Sequence, residues 1–125
     1  MAGMNRITGK PLAGIDHVKQ SLEVIFTTRL RSRIMRRMFG SDIPSLLGMT
    51  LTASNILKYS AAVILAVELW EPRFKVTRVS FDQVSNTDQQ IRLGSLSMKI
   101  EGVYRPNALN GDLTPDLSAP TALIF

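Results

Sequence analysis

The segment YSAAVILAVELWEPRFKVTRVSF, residues 59–81, changes its hydrophobic period at a single proline. Apolar residues are nearly continuous before Trp70, a pattern typical of a central helix with neighbours on several sides. Pro72 disfavours helical backbone at the residue before it, and so predicts where this helix ends. From Phe74 onward apolar and polar residues alternate, which predicts a β-strand. We therefore expect a helix and a strand joined by a tight Glu-Pro-Arg turn.

A second alternating run follows and predicts a β-hairpin. In the first strand the alternation slips near Thr77 and Arg78, which indicates a β-bulge. The polar residues SNTD, 85–88, predict the turn, and QQIRLGSLSMKIEGVY, 89–104, predicts the second strand. The apolar series of that strand is Ile91, Leu93, Leu96, Met98 and Ile100. The exposed edges of such a hairpin could pair with a partner strand, unless a helix covers one face and a charged edge stays in water.

Two further helices are predicted before residue 59. The first begins at Ile15 and places its apolar residues on one face, namely Ile15, Val18, Leu22, Ile25 and Phe26. The second covers RLRSRIMRRMF, residues 29–39, with apolar side chains facing inward, arginines outward and Gly40 as its C-terminal cap. The central helix begins after a cap at Thr52 or Ser54 and ends at Trp70. The predicted fold class is α+β, with about three N-terminal helices packed on a small antiparallel sheet that contains the C-terminal hairpin.

The domain organisation follows from the same pattern. Residues 1–14 contain three glycines and a Lys-Pro step, which indicates an extended N-terminal arm. Residues 15–105 form a single α+β domain. Residues 106–125 hold three prolines among scattered leucines and end in ALIF, so we expect a tail with little structure of its own, ordered by partners.

Length and composition exclude several classes of protein. The chain has 125 residues, 45% of them apolar and none of them cysteine, which fits one globular domain without disulfides or thiolate metal sites. The N-terminus has no signal-peptide pattern. The most apolar stretch, residues 59–67, is far shorter than the roughly 20 residues that span a bilayer as a helix. We expect a soluble protein without a membrane partner.

The net charge of +5 is concentrated in one place. Residues 1–70 hold nine basic and four acidic side chains, whereas residues 71–125 hold six of each. Five of the basic side chains form a local patch, Arg29, Arg31, Arg33, Arg36 and Arg37. Such a patch could contact phosphates in a nucleic acid. With Phe39 as its one aromatic residue, it is more typical of a solvated or protein-binding face.

Catalytic patterns are weak. His17 is the single histidine and lies on a predicted helix, where histidines are usually structural. Carboxylate pairs drawn from Glu23, Glu68, Glu71 and Glu101 could in principle cleave a glycosidic bond. Glu68 and Glu71 are close enough to meet, but Arg73 is a ready ion-pair partner for Glu71, and an ion-paired carboxylate is poorly suited to donate a proton. There is no metal-binding constellation and no phosphate-binding glycine loop, so no cofactor is expected.

Three stretches occur here in a specific order: GMNRITGKPLAGIDHVKQSLEVIFTT (3–28), SRIMRRMFGS (32–41) and LWEPRF (69–74). Together they resemble the baseplate wedge family of contractile phage tails, often labelled baseplate assembly protein W, with relatives in R-type pyocins and type VI secretion baseplates. The resemblance covers residues 3–104 and leaves the tail from Pro106 unmatched. It implies a non-enzymatic α+β protein of the virion baseplate, assembled in the host cytoplasm.

The resemblance also implies partners and roles. Such a protein is a sheath initiator that offers β-strands, here those of the hairpin, to the first ring of tail sheath protein. It binds baseplate wedge proteins through Glu71, Pro72 and Arg73, and tail tube or spike and hub proteins are further partners in a six-fold hetero-oligomeric assembly. Two alternatives stay open: a lysozyme-like enzyme that cleaves peptidoglycan, and a small nucleic-acid-binding module.

Overall fold

The computed structural model describes residues 2–50, 52–81, 89, 97–117 and 122–125. The strands are β1 (Ala2–Met4), β2 (Pro11–Ala13), β3 (Phe74–Ser80), β4 (Lys99–Tyr104) and β5 (Ala122–Ile124). The helices are α1 (Gly14–Thr27), α2 (Ile43–Leu46) and α3 (Ala53–Trp70), with a 3-10 turn at Ala108–Asn110. Helices packed with small antiparallel sheets confirm the predicted α+β class.

Helix α1 lies where its apolar period predicts. Its buried residues are Val18, Leu22, Ile25 and Phe26, while Ile15 is partly buried against the core. The helix ends where two threonines turn their hydroxyls back on the last carbonyls: Thr27 Oγ1 donates to Glu23 O at 2.7 Å and Thr28 Oγ1 to Val24 O at 2.6 Å. These bonds satisfy carbonyls that have no partner within the helix.

Helix α3 has the predicted ends but a different environment. Thr52 is its N-cap, with Oγ1 accepting from the Asn55 amide at 3.4 Å, and its last residue is Trp70. Its buried face consists of Tyr59, Val63, Ala66 and Val67. The prediction of neighbours on several sides is wrong: α1, α2 and strand β3 contact the helix, but its buried residues lie on one face. Large apolar side chains on the remaining surface are exposed, namely Leu57, Ile64, Leu65 and Leu69.

The main sheet has the order β3-β4-β5, with both pairs antiparallel. The register of β3 and β4 shifts between Val76 and Arg78, which confirms the predicted bulge. Alternation along β4 buries Ile100, Gly102 and Tyr104 and turns the residues between them outward. The second strand is predicted to begin at Gln89. This start is wrong, because Gln89 is helical. Its apolar residues Ile91, Leu93 and Leu96 and the SNTD turn lie outside the described residues.

The C-terminal residues contradict the expectation of a tail without structure. β5 pairs with β4 in the register Ile100 to Leu123, and Leu123 is buried. Phe125 and Met98 exchange two backbone hydrogen bonds of 2.9 Å each. The ring of Phe125 meets that of Phe26 edge to face, with 5.3 Å between centroids. Apolar burial against α1 therefore gives the ALIF end a place in the chain's own sheet.

The N-terminal arm is a hairpin rather than a single extended segment. β1 and β2 pair antiparallel, and the Asn5 side chain closes the turn by accepting from the amides of Ile7 and Thr8. Gln20 on α1 holds the hairpin, since its side chain accepts from the Arg6 amide and donates to Met4 O, both at 3.0 Å.

The predicted helix over residues 29–39 is wrong, because this segment is a closed loop. Arg31 has a left-handed backbone with φ of 68°, and its amide donates to Arg37 O at 2.8 Å. In a helix, Arg33 would lie one turn from both Arg29 and Arg37, and like charges at that spacing are destabilising. The apolar residues predicted to face inward are instead exposed, namely Leu30, Ile34, Met35 and Met38.

The base of this loop is fixed to the end of α1. Arg29 and Ser41 form a parallel bridge, and the Ser41 amide donates to Thr28 O at 2.9 Å. The buried Ser41 hydroxyl donates to Ile25 O at 3.0 Å. Gly40, predicted as a helix cap, instead permits a close approach of two backbone segments. Its φ is +127°, and a Cβ would lie 2.5 Å from Thr28 O. The loop therefore returns tightly onto the helix end.

One core joins these elements, with contributions from α1, α2, α3 and all three strands of the main sheet. Its largest fully buried side chains are Phe74, Leu22, Ile25, Ile100, Val18, Val63 and Val67. Within the described residues, no helix combines the length and apolar character needed to cross a membrane.

Candidate interaction site

The Glu-Pro-Arg turn joins α3 to β3 and buries its two charges against each other. Glu71 is 3% exposed and Arg73 is 7% exposed, whereas Pro72 between them is exposed. The guanidinium of Arg73 forms a two-pronged contact with the carboxylate, with Nε to Oε1 at 2.6 Å and Nη2 to Oε2 at 2.9 Å. This paired geometry is the strong form of an arginine–carboxylate interaction.

Further contacts fix the arginine in place. Its third nitrogen, Nη1, lies 3.1 Å from His17 Nδ1 on α1. Since arginine can only donate, the histidine nitrogen must accept, which leaves the proton of a neutral ring on Nε2. The backbone carbonyl of Arg73 accepts from the Arg105 amide at 2.7 Å, just beyond β4. Hydrogen bonding to Glu71 raises the pKa of Arg73 above its usual value against the opposing effect of burial, so the guanidinium stays charged.

The turn therefore connects α1, α3 and the sheet through hydrogen bonds. Glu71 also caps α3, since its amide donates to Val67 O at 2.8 Å, and its carbonyl accepts from Phe74 at 3.1 Å. A carboxylate that is buried and held by two guanidinium bonds is poorly placed to transfer a proton to a substrate. Glu68, the other half of the predicted catalytic pair, is exposed. The geometry does not assemble the carboxylate pair of a glycosidase.

The five arginines of the basic patch are all exposed on the loop of residues 29–39. Within the described residues, none of them forms an ion pair. Arg33 lies over the ring of Phe39 with Cζ 4.3 Å from its centroid, and Arg36 lies at 5.7 Å. The Phe39 ring in turn packs on Trp70, with centroids 5.1 Å apart. This stack brings the basic loop to the end of α3 beside the Glu-Pro-Arg turn.

The residues predicted to face the sheath divide into two groups. Met98 and Ile100 are buried in the core, so their side chains are not on the surface. Strand β4, which contains Ile100 and begins directly after Met98, is central in the sheet and paired on both sides. The other three, Ile91, Leu93 and Leu96, lie outside the described residues. Within the described part of the chain, the free edges of the main sheet belong to β3 and β5.

These two edges differ in character. β3 carries Lys75, Arg78 and a bulge, which are features that oppose pairing with another strand. β5 is apolar and regular, with Ile124 exposed. Because Phe125 exchanges its backbone bonds with Met98, the alternation of an antiparallel pair turns the amides and carbonyls of Ala122 and Ile124 away from β4. A cavity of about 490 Å³ lies beside β5, and its walls include Phe26, Tyr59, Phe81 and Phe125.

Sequence reasoning missed three parts of this arrangement. It did not pair His17 with Arg73, because 56 residues separate them. It did not stack Phe39 on Trp70, because residues 29–39 were predicted as a helix. It did not place ALIF in the sheet, although the apolar character of those four residues indicated burial.

The same fold occurs in solved structures of tail proteins. A chain in the baseplate of pyocin R2, in its post-contraction state, is similar with a TM-score of 0.69 and 33% identity, covering 84% of this chain and 99% of that one. A putative tail lysozyme from Geobacter sulfurreducens is similar with a TM-score of 0.61, covering 91% of this chain and 90% of that one. The second likeness, at 21% identity, concerns the fold alone. The fold is thus that of a small α+β protein of tail baseplates.

Sequence comparison gives the family. Residues 13–108 match the family model described as baseplate wedge protein gp25. The chain is also 36% identical over 78 residues to baseplate protein W of Escherichia phage P2, a match that covers 62% of this chain and 68% of that protein. The chain belongs to the baseplate wedge protein gp25 family. This confirms the resemblance seen in the motifs and makes the chain a structural component of the baseplate of a contractile, phage-type tail.

Proposed function

We propose that this protein is a non-enzymatic wedge component that initiates the tail sheath. It offers a β-strand edge to the first ring of sheath subunits and docks to wedge proteins at the Glu-Pro-Arg turn. Around the central tube, spike and hub, six-fold repetition would present a ring of such edges. The single observation that carries the proposal is the edge of β5, which is uncharged and, within the described residues, pairs with no further strand.

Strand addition at β5 has a clear physical basis. The backbone groups of Ala122 and Ile124 point away from β4, and no other described strand pairs with them. Each backbone hydrogen bond made there contributes about 0.5–1.5 kcal/mol net, and the sum grows with the length of the added strand. The aromatic-lined cavity beside the strand can take alternate side chains of the partner, which is how strand addition gains specificity. The hairpin residues Ile91, Leu93 and Leu96 remain part of the proposed sheath-facing surface.

Docking at the Glu-Pro-Arg turn works through shape in this proposal. Glu71 and Arg73 are occupied with each other, so the partner meets the exposed Pro72 and the turn that the ion pair holds rigid. A preformed turn contributes to affinity because less conformational freedom is lost when it binds.

The test is Ile124→Pro, which removes an outward amide and leaves the bonds between β4 and β5 in place. Baseplates assembled with the wild-type chain should nucleate sheath polymerisation when purified sheath protein is added. Baseplates with the proline variant should contain the chain but form little sheath by electron microscopy.

Ile124→Thr is the matched control, because it keeps the amide, the β-branched shape and the strand preference. It should nucleate sheath at the wild-type level. Normal sheath formation with Ile124→Pro would contradict strand addition at β5.

A further inference from the structure

The loop of residues 29–39 is held in one shape by many contacts, yet its arginines form no ion pair within the part of the chain that the structure describes. Its base is bridged from Arg29 to Ser41, and its middle is closed by Arg31 and Arg37. The Ser32 hydroxyl adds a bond of 2.6 Å to Arg29 O. These bonds fix the backbone that carries the exposed side chains of the loop.

The exposed surface of the loop combines two chemistries. Besides the arginines, it presents Ile34, Met35 and Met38, which are 82%, 94% and 77% exposed. Large apolar side chains held in water beside a charged rim are typical of protein-binding surfaces. Methionine in particular adapts its shape to a partner.

We propose that this loop is a docking site for an acidic, amphipathic segment of another baseplate subunit. Its carboxylates would pair with Arg31, Arg33 and Arg37, and its apolar side chains would cover Met35 and Met38. The inference rests on the proposed baseplate role. It gives the protein a second docking site, chemically distinct from the Glu-Pro-Arg turn. Charge complementarity carries it, since five guanidinium groups lack an acidic partner within the described residues.

The alternative occupant, a nucleic acid, fits the surface less well. Nucleic acid would use the arginines for phosphates but would leave Ile34, Met35 and Met38 exposed in the complex. The one aromatic ring of the loop, Phe39, is already covered by Arg33 on one side and packed on Trp70, so it is not free to stack on a base.

The Phe39–Trp70 stack gives the proposed contact a structural consequence. Trp70 is the last residue of α3 and directly precedes Glu71. A partner bound to the loop therefore lies next to the end of α3, from which the Glu-Pro-Arg turn begins. Binding at the loop can thus affect the geometry of the turn.

The experiment measures binding of the full chain to a short synthetic helix of glutamate, alanine and leucine with leucines on one face. The wild-type chain should bind it, and the double variant Arg33→Gln/Arg37→Gln should bind about tenfold more weakly, which corresponds to about 1.4 kcal/mol. Met35→Ser should also weaken binding, while a peptide with alanine in place of each leucine should bind less tightly to the wild-type chain.

The matched control is Lys75→Gln/Arg78→Gln, which removes the same charge from β3. Equal weakening in this control would reduce the effect to net charge and overturn the proposal. Failure of the peptide to bind, with steeply salt-dependent binding of duplex DNA in its place, would overturn it in favour of nucleic acid.

The two proposals fail separately. A chain that binds the acidic peptide through the loop but seeds no sheath contradicts sheath initiation and supports the docking site. A chain that initiates sheath polymerisation but does not bind the peptide contradicts the docking site alone.

Discussion

At the scale of single residues, the buried ion pair of Glu71 and Arg73 has large energetic consequences. Two opposite charges taken out of water cost solvation free energy, which excellent geometry and further hydrogen bonds must offset. The guanidinium of Arg73 meets that condition through Glu71 and His17. Removing one partner leaves the other buried and uncompensated. The motif is therefore a stability element, whatever it also does at an interface.

Glu71→Gln should lower the free energy of unfolding by about 3–5 kcal/mol, because it leaves the Arg73 guanidinium without its counter-charge. Urea unfolding followed by circular dichroism measures the change. The loss is a large share of the roughly 5–15 kcal/mol that stabilises an ordinary domain.

Glu68→Gln is the control at the neighbouring exposed carboxylate and should change the unfolding free energy by less than about 0.5 kcal/mol. Similar effects of the two substitutions would contradict the buried ion pair.

At the scale of elements, β5 decides whether the sheet is complete. Leu123 is buried opposite Ile100, while Ile124 beside it is exposed. The strand is short, and most of its free energy comes from packing on α1 and β4 rather than from strand preference. Its inner side closes the core, and its outer side provides the edge proposed for sheath addition.

Leu123→Ala should therefore destabilise the protein by about 2–5 kcal/mol, the usual cost of a cavity at a buried leucine. The readout is the shift in the urea midpoint at unchanged slope. It should also raise hydrogen exchange at the Met98 and Phe125 amides.

Ile124→Ala removes a similar side chain from the exposed side of the same strand and should have a small effect. If it destabilised as much as Leu123→Ala, the observed facing of β5 would be wrong.

At the scale of the whole molecule, the three surfaces proposed for separate contacts lie on different elements. The Glu-Pro-Arg turn and the basic loop lie together through the stack of Phe39 on Trp70. The β5 edge belongs to the sheet, on which α1 packs through the contact of Phe26 with Phe125. The exposed apolar residues of α3, including Leu65 and Leu69, add to the surface that assembly can cover. In the proposed role, the molecule would connect its neighbours in the baseplate through these surfaces.

Pro72→Glu tests the turn at this scale, because it places a charge on the exposed residue and leaves both members of the ion pair in place. The variant should stay folded, with an unfolding free energy within about 1 kcal/mol of wild type. It should fail to co-purify with wedge proteins expressed alongside it.

Pro72→Ala serves as the comparison and should retain at least part of the binding. Full co-purification of Pro72→Glu would exclude direct docking at this residue and leave the turn with its internal role alone.

The sequence by itself determined α1, both ends of α3, the strand β3 and its bulge. Each of these follows from a local sequence pattern: an apolar period, a capping threonine, a helix-ending proline, or a slip in alternation. The family was also readable, because the quoted stretches occur in order. The pairing of Glu71 with Arg73 also followed from their spacing, and docking at the Glu-Pro-Arg turn stays a prediction.

Only the tertiary structure decided what those residues face. Arg73 of the ion pair contacts the His17 ring and the Arg105 amide, which come from distant parts of the chain. The arginine segment has fair helix propensity, but packing of Phe39 and Ser41 makes it a loop. The ALIF end joins β4 because Leu123 and Phe125 find a core to enter. Contacts between residues far apart in sequence leave no local pattern, so they are visible only in the folded structure.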